Sequence, residues 1–329
     1  MVSFIVIVQG LLFLAHALVL VTLKYFKGKP DIPHLPEFLL LASISFVPAS
    51  LLVWRSTHLF ASLFYRLAAI WLGCLSFFFC ASIVCWLVWA ILLPFSGQAS
   101  KLGPVLVALC FGLATVASAI SLINGSSIRV RQIRVNLPGL PAAWRGRSIV
   151  LVSDLHLGPV HGLRFSGRVA ALVAKLNPNL VALTGDFYDG TAVDAPRMAS
   201  AWKDLAARRE VYYVTGNHEE FSDRTKYLQA LEGAGIRILR NQKVLIDGLQ
   251  IAGILYGEGS EPSEFRQALA GLKLNPGNPS ILLNHVPQFF ELAEQAGVSL
   301  MLSGHTHKGQ VMPWSWVARR VHGPFAYGL

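Results

Sequence analysis

The chain has 329 residues, 53% of them hydrophobic and only 14% charged, with a formal net charge of +10. That is too apolar for an ordinary soluble protein, and the length suggests two domains. No basic run of the kind that grips nucleic acid is present, so no nucleic-acid partner is expected. The balance suits an anionic membrane surface or a phosphorylated substrate.

The charge is unevenly spread. Before residue 124 only Lys24, Lys27, Lys29, Asp31, Glu37, Arg55, Arg66 and Lys101 are charged, and the other 22 basic and 16 acidic residues follow. Apolar runs at residues 2–23, 38–54, 67–94 and 102–123 predict four helices that cross a bilayer, which takes about 20 residues at 1.5 Å rise each. Residues 59–65 are expected to form an interfacial turn before the third. The first run has no basic segment ahead of it and is followed by further spans, so it does not read as a signal peptide. Gln9 and His16 share a helix face and are expected to line a helix contact. Trp54, Trp71, Trp86 and Trp89 include interface anchors. All four cysteines, Cys74, Cys80, Cys85 and Cys110, lie in these runs, which excludes a disulfide framework beyond them. Four spans leave both termini on one side. There Arg55, Arg66, Arg129, Arg131 and Arg134 outnumber Lys24, Lys27, Lys29 and Lys101 on the other, which favours a cytoplasmic catalytic domain.

Asn124-Gly125-Ser126-Ser127 marks a boundary. Ile128, Val130, Ile133 and Val135 alternate with arginines and change parity at Arg131-Gln132, the pattern of an edge strand with a bulge. The expected organisation is a membrane domain over residues 1–124, a linker with an edge strand over 125–147, and a catalytic domain over 148–329. Within the last, short apolar strands are predicted at 149–152, 180–183, 211–214, 236–239, 243–246, 250–254, 281–283 and 300–302. Helices are predicted at 166–176, 195–208, 223–232, 261–272 and 289–296.

Five of these strands end in a polar cluster: Asp154 with His156, Asp186, Asn217 with His218, His285, and His305 with His307. In an open α/β arrangement ligands bind beyond the carboxyl ends of strands, so the clusters should converge. A carboxylate and a neutral imidazole two positions apart point the same way on an extended chain and suit a borderline divalent metal. One histidine at a strand end is more often a satisfied polar group. Five such clusters are not explained that way.

These blocks resemble the calcineurin-like metallophosphoesterase family. Its pattern of Asp-x-His, Gly-Asp, Gly-Asn-His-Asp/Glu, a lone His and Gly-His-x-His is met in order by Asp154-Leu155-His156, Gly185-Asp186, Gly216-Asn217-His218-Glu219, His285 and Gly304-His305-Thr306-His307. With its preceding spans the chain looks like the membrane-associated bacterial branch, and a bacterial cytoplasmic membrane is the location this implies. The implied fold is an α-helical transmembrane bundle followed by an α/β domain, a two-sheet β-sandwich flanked by helices. The resemblance also implies two divalent metal ions. Asp154, His156 and His307 would hold one, Asn217, His285 and His305 the other, with Asp186 bridging, and the mixed shell suits manganese, zinc or iron. His218 would stand near the substrate phosphate as a general acid or charge stabiliser. Two such ions activate water for in-line attack, and no nucleophilic Ser or Cys stands in the motifs, so direct hydrolysis is expected. Asp189, Glu219 and Glu220 adjoin the motifs in supporting or surface roles. His161 lines either the pocket or a loop surface, and His322 lies too late to place. The family's sandwich continues past the last motif, whereas this chain ends at Leu329, so the domain is expected to be C-terminally incomplete with an exposed sheet edge.

The expected function is a membrane-anchored, dinuclear metal-dependent phosphoesterase acting on a phosphate ester or diphosphate. A linker of about 24 residues keeps the site near the bilayer and favours a lipid-linked substrate. Two alternatives stand beside it: a broad phosphodiesterase with soluble substrates, and a membrane sensor or transporter whose phosphoesterase-like domain binds without hydrolysis. The intact ligand set and His218 argue against the second.

Overall fold

The computed structural model describes residues 2–27, 32–307 and 314–327. They fall into two compact units, Met1–Arg129 and Val130–Leu329.

The first unit is helical: α1 (Val2–Lys27), α2 (Leu35–Arg55), α3 (Leu59–Leu92) and α4 (Ser96–Gly125). Each contains a stretch long and apolar enough to cross a membrane. Residues 59–65 are not the expected interfacial turn. They form the first turns of α3, because no Gly or Pro interrupts the run from Leu59 to Arg66 and nothing there stops helix propagation. At 34 residues α3 is about 50 Å long, well beyond a hydrocarbon core of about 30 Å. The buried polar side chains of these helices, His16, Thr22, Ser43, Ser82 and Ser118, are all hydrogen-bonded, as a low-dielectric solvent demands. Gln9 Nε2 donates to Ser43 O at 2.9 Å. His16 Nδ1 meets Leu12 O at 2.7 Å, and its Nε2 accepts from Trp71 Nε1 at 2.8 Å.

Residues 127–136, which run across the boundary between the units, are mostly exposed and belong to no strand. The alternating pattern there predicts an edge strand, but among the described residues no strand forms a ladder with it. Among the described residues eight strands follow: β1 (Ile149–Val152), β2 (Leu180–Thr184), β3 (Glu210–Val214), β4 (Arg237–Ile238), β5 (Gln242–Ile246), β6 (Leu249–Gly253), β7 (Ser280–Leu283) and β8 (Leu300–Leu302). They form two sheets of four, each in sequence order. The first is all parallel. In the second, β5 runs antiparallel to β6 and the remaining pairs are parallel.

Side chains alternate along a strand, and here the alternation sorts two cores. Leu180 and Ala182 on β2 and Tyr212 and Val214 on β3 pack against Leu249 and Ile251 on β6 and Ile281 and Leu283 on β7. The opposite face of the second sheet, with Ala252 and Leu282, is covered by Phe265, Leu269 and Leu272 of the helix Pro262–Leu272. The helix Leu163–Leu176 buries Val169, Ala170 and Val173, and its Ser166 Oγ accepts from Trp202 Nε1 at 3.1 Å. Strands buried on both faces need apolar residues nearly throughout, as β2 (LVALT) shows, and the buried Gln250 of β6 is admitted because its Nε2 donates to Asn275 O and Asn278 O at 3.0 and 2.9 Å. The predicted helix at 195–208 is two pieces, Ala195–Ser200 and Lys203–Ala206. Among the described residues no strand follows β8, which pairs with β7 alone. A helix, Trp314–His322, and a short 3-10 turn come after it.

Candidate metal centre

The parallel strands carry their loops to one end. The loop after β1 is laid along the loop after β2 by four backbone bonds, in which Asp154 N–H donates to Gly185 O, His156 N–H to Asp186 O, Leu157 N–H to Phe187 O and Asp189 N–H to Leu157 O at 2.9 to 3.2 Å. His305 N–H donates to both Asp154 carboxylate oxygens, at 3.1 and 3.0 Å, joining the last motif to the first. Five of the polar residues at these strand ends, Asp154, His156, Asp186, His305 and His307, have left-handed backbone, with φ of 55°, 44°, 51°, 70° and 47°. Such geometry is costly for residues with a Cβ and clusters where a site demands it. Two glycines make the close approach possible. A Cβ on Gly216 would collide with the Asp186 carboxylate, and one on Gly304 with Ser153 and Asp154.

The seven expected ligands come together. On one side His156 Nε2 and His307 Nε2 face each other at 3.0 Å, and Asp154 Oδ1 lies 3.2 Å from His307 Nε2. On the other, Asn217 Oδ1 lies 3.1 Å from His285 Nε2 and 3.0 Å from His305 Nδ1. Asp186 is buried between them, with Oδ2 3.7 Å from His156 Nε2 and 3.3 Å from His285 Nε2. The His/carboxylate donors form two clusters that share Asp186.

The chemistry of these atoms tests whether cations fit. His285 Nδ1–H is committed to Thr184 O at 2.7 Å, so its Nε2 is the atom that takes up a positive centre. Against the cost of burial, the Asp186 carboxylate raises its affinity for a proton, and a cation that displaces that proton meets the Nε2 lone pair. That lone pair is turned on two more acceptors, Asn217 Oδ1 and Asp186 Oδ2. Acceptors aimed at one another repel unless a positive centre stands among them, so the donor set fits divalent cations. Burial pushes the His156 imidazole down to about 4 despite the Asp186 carboxylate. Burial, helped by the charge of His285, pushes His305 down to about 4 too. Both rings are therefore neutral, the form that ligates. Burial opposes ionisation of Asp154 and Asp186, but hydrogen bonding from His307 and His285, respectively, outweighs it and holds both below the usual carboxylate range.

His218 stands beside the clusters rather than in them. Its ring is edge-on to His156 at 4.5 Å, and Nδ1 meets Asp189 O at 2.7 Å. His161 packs on Phe165 at 4.1 Å and joins neither cluster among the described residues. Glu220 is paired with Arg224 at 3.0 Å. Two residues are closer to the centre than their positions suggest. Glu219 is fully buried beneath it, and the His322 ring lies 5.9 Å from His305. The Glu after Asn-His was the only signal for the first, and the second carries none, since nothing in the spacing ties residue 322 to 305.

A two-sheet α/β sandwich that gathers two donor clusters around one shared carboxylate defines a class, the dinuclear-type metal-dependent hydrolases. Comparison with known proteins makes it specific. Residues 147–309 match the calcineurin-like phosphoesterase family. The chain is 31% identical over 201 residues to an uncharacterized metallophosphoesterase of Aquifex aeolicus, covering 60% of this chain and 76% of that protein. It belongs to the calcineurin-like metallophosphoesterases. A transmembrane protein with metallophosphoesterase domain from Bos taurus is 32% identical over 243 residues, 68% of this chain and 54% of that protein, so the chain spans about half that relative's length. UDP-2,3-diacylglucosamine pyrophosphatase LpxG of Chlamydia trachomatis is 24% identical over 247 residues, 59% of this chain and 74% of that protein. Animal and bacterial relatives both appear, so the likeness is not confined to a bacterial branch.

Proposed function

We propose that this integral membrane metallophosphoesterase hydrolyses a phosphate ester or diphosphate whose organic part is held in the bilayer. The observation that carries a two-cation reading is Asp186, whose one oxygen, Oδ2, lies within 3.7 Å of a nitrogen from each cluster. Asp154, His156 and His307 would hold one cation and Asn217, His285 and His305 the other, with Asp186 common to both. Divalent ions held there, manganese, zinc or iron by donor type, supply Lewis acidity toward water and phosphate oxygens.

The protein's own groups do the rest. His218 donates its Nδ1 proton to Asp189 O, which leaves Nε2 to carry the proton a leaving oxygen needs. Asp186 Oδ1 accepts from the His218 backbone N–H at 2.9 Å, so the shared carboxylate also positions the acid. The lipid-linked part of the reading is supported by the four apolar helices and by the likeness to LpxG, whose name gives it a diacylated sugar nucleotide to cleave. On the count of basic residues flanking the helices, we place the catalytic unit on the cytoplasmic side.

The test is hydrolysis of bis(p-nitrophenyl) phosphate and of a bilayer-embedded phosphodiester by the full chain in lipid nanodiscs with added manganese. Both should turn over, the embedded one with the higher kcat/KM. Asp186→Ala should abolish both activities, and His218→Ala should lower kcat by about 10²- to 10⁴-fold while leaving bound manganese unchanged. Equal or better use of the soluble ester would favour the broad phosphodiesterase. A manganese-loaded chain that hydrolyses neither would favour the sensor or transporter.

A further inference from the structure

The helix Trp314–His322 has two faces that the reading above leaves unused. Its inward residues, Ser315, Ala318 and His322, are half-buried. There the His322 ring lies edge-on to His305 at 5.9 Å. The turn that follows is tied to the last motif by Thr306 Oγ1, which donates to Ala326 O at 2.9 Å. Its outward residues include Trp316, Val317 and Val321, which are 65%, 41% and 70% exposed, with Arg319 and Arg320 exposed among them. At 3.6 residues per turn Trp316 falls between the two arginines, and the valines continue the face beyond Arg320.

An outward helix face in water is ordinarily polar. This one mixes a tryptophan and branched aliphatics with guanidinium groups, the composition of helices that lie in a membrane interface with apolar chains at the acyl boundary and cations on anionic headgroups. We propose that this face rests on an anionic lipid surface. Charge complementarity selects that occupant: no Asp or Glu occurs anywhere after Glu294, while Lys308, Arg319 and Arg320 do. The four apolar helices attach the same chain to a bilayer. A helix is about 10 Å across, so headgroup phosphates under this face would lie about one helix diameter from the His305 ring. Where it bears on substrate, the inference rests on the lipid-linked reading above, and it narrows the substrate to a phosphate carried at headgroup level.

The test has a readout independent of catalysis. The full chain is reconstituted into vesicles of dioleoylphosphatidylcholine with or without dioleoylphosphatidylglycerol, each doped with a brominated phosphatidylcholine. Emission lost on changing Trp316→Phe isolates that residue from the other tryptophans. We expect this component to be quenched by the brominated lipid, and more strongly with phosphatidylglycerol present. Two arginines at an anionic surface account for about thirty-fold in partition, so Arg319→Gln with Arg320→Gln should remove the phosphatidylglycerol-dependent gain. A Trp316 component that ignores brominated lipid in both vesicles overturns the proposal and leaves the face to a protein partner. So does an anionic gain that survives in the double variant. Hydrolysis of bis(p-nitrophenyl) phosphate in the same vesicles should be unchanged in the double variant. If the unmodified chain fails to hydrolyse that ester, the catalytic reading fails, and the quenching result still decides the helix.

Discussion

Glu219 is fully buried. Its carboxylate accepts the backbone N–H groups of Asp186 at 3.0 Å, Tyr188 at 3.0 Å and Gly216 at 2.8 Å, and so pins the loops after β2 and β3 to each other. Burial and the nearby Asp186 charge push its pKa up, opposed by those same N–H donors. Glu219→Gln turns an amide N–H₂ toward backbone donors and leaves at least one buried N–H unmatched, at about 1–3 kcal/mol. The thermal midpoint of the catalytic unit should fall by several degrees, and manganese affinity with it, as read by calorimetry and by metal analysis after dialysis. The sequence placed this residue only beside a motif, in a supporting or surface role. Its burial was not legible there, because it depends on what β2 brings over it.

The elements repeat one device, a buried strand that stops at a loop tight enough to aim its side chains. Gly216, two residues past the end of β3, has φ of −107°, which any residue can adopt, so its importance is steric. A methyl group there has only the Asp186 carboxylate and its backbone N to enter. Gly216→Ala should therefore displace Asp186, reduce kcat/KM for a soluble diester by about 100-fold or more, and lower bound manganese measured by elemental analysis. The strands themselves are readable, since a run of three or four apolar residues shortly before Asp, Asn or His recurs five times over. Segment 128–135, where alternation predicts an edge strand, forms none for the complementary reason. Alternation describes which faces a strand would have, and pairing needs a neighbour that alternation cannot supply.

At the scale of the whole molecule, the catalytic unit recruits a residue from the stretch assigned to the linker. Trp144 is buried between the sheets with Leu239 and Leu249, and its Nε1 donates to Ile246 O at 2.8 Å. Trp144→Ala should cost about 3–5 kcal/mol, seen as a lower unfolding midpoint of the catalytic unit with the α1–α4 transition unmoved. The chain by itself determined four bilayer-length helices, the strands of an α/β sandwich and the donor residues at their ends, because hydropathy and residue chemistry are local properties. It could not determine how far α3 runs, where Trp144 and Glu219 are buried, or that His322 packs beside His305. Only the tertiary structure decided these, and it decided that Asp186 serves both donor clusters, because each depends on which distant segments the packed sheets bring into contact.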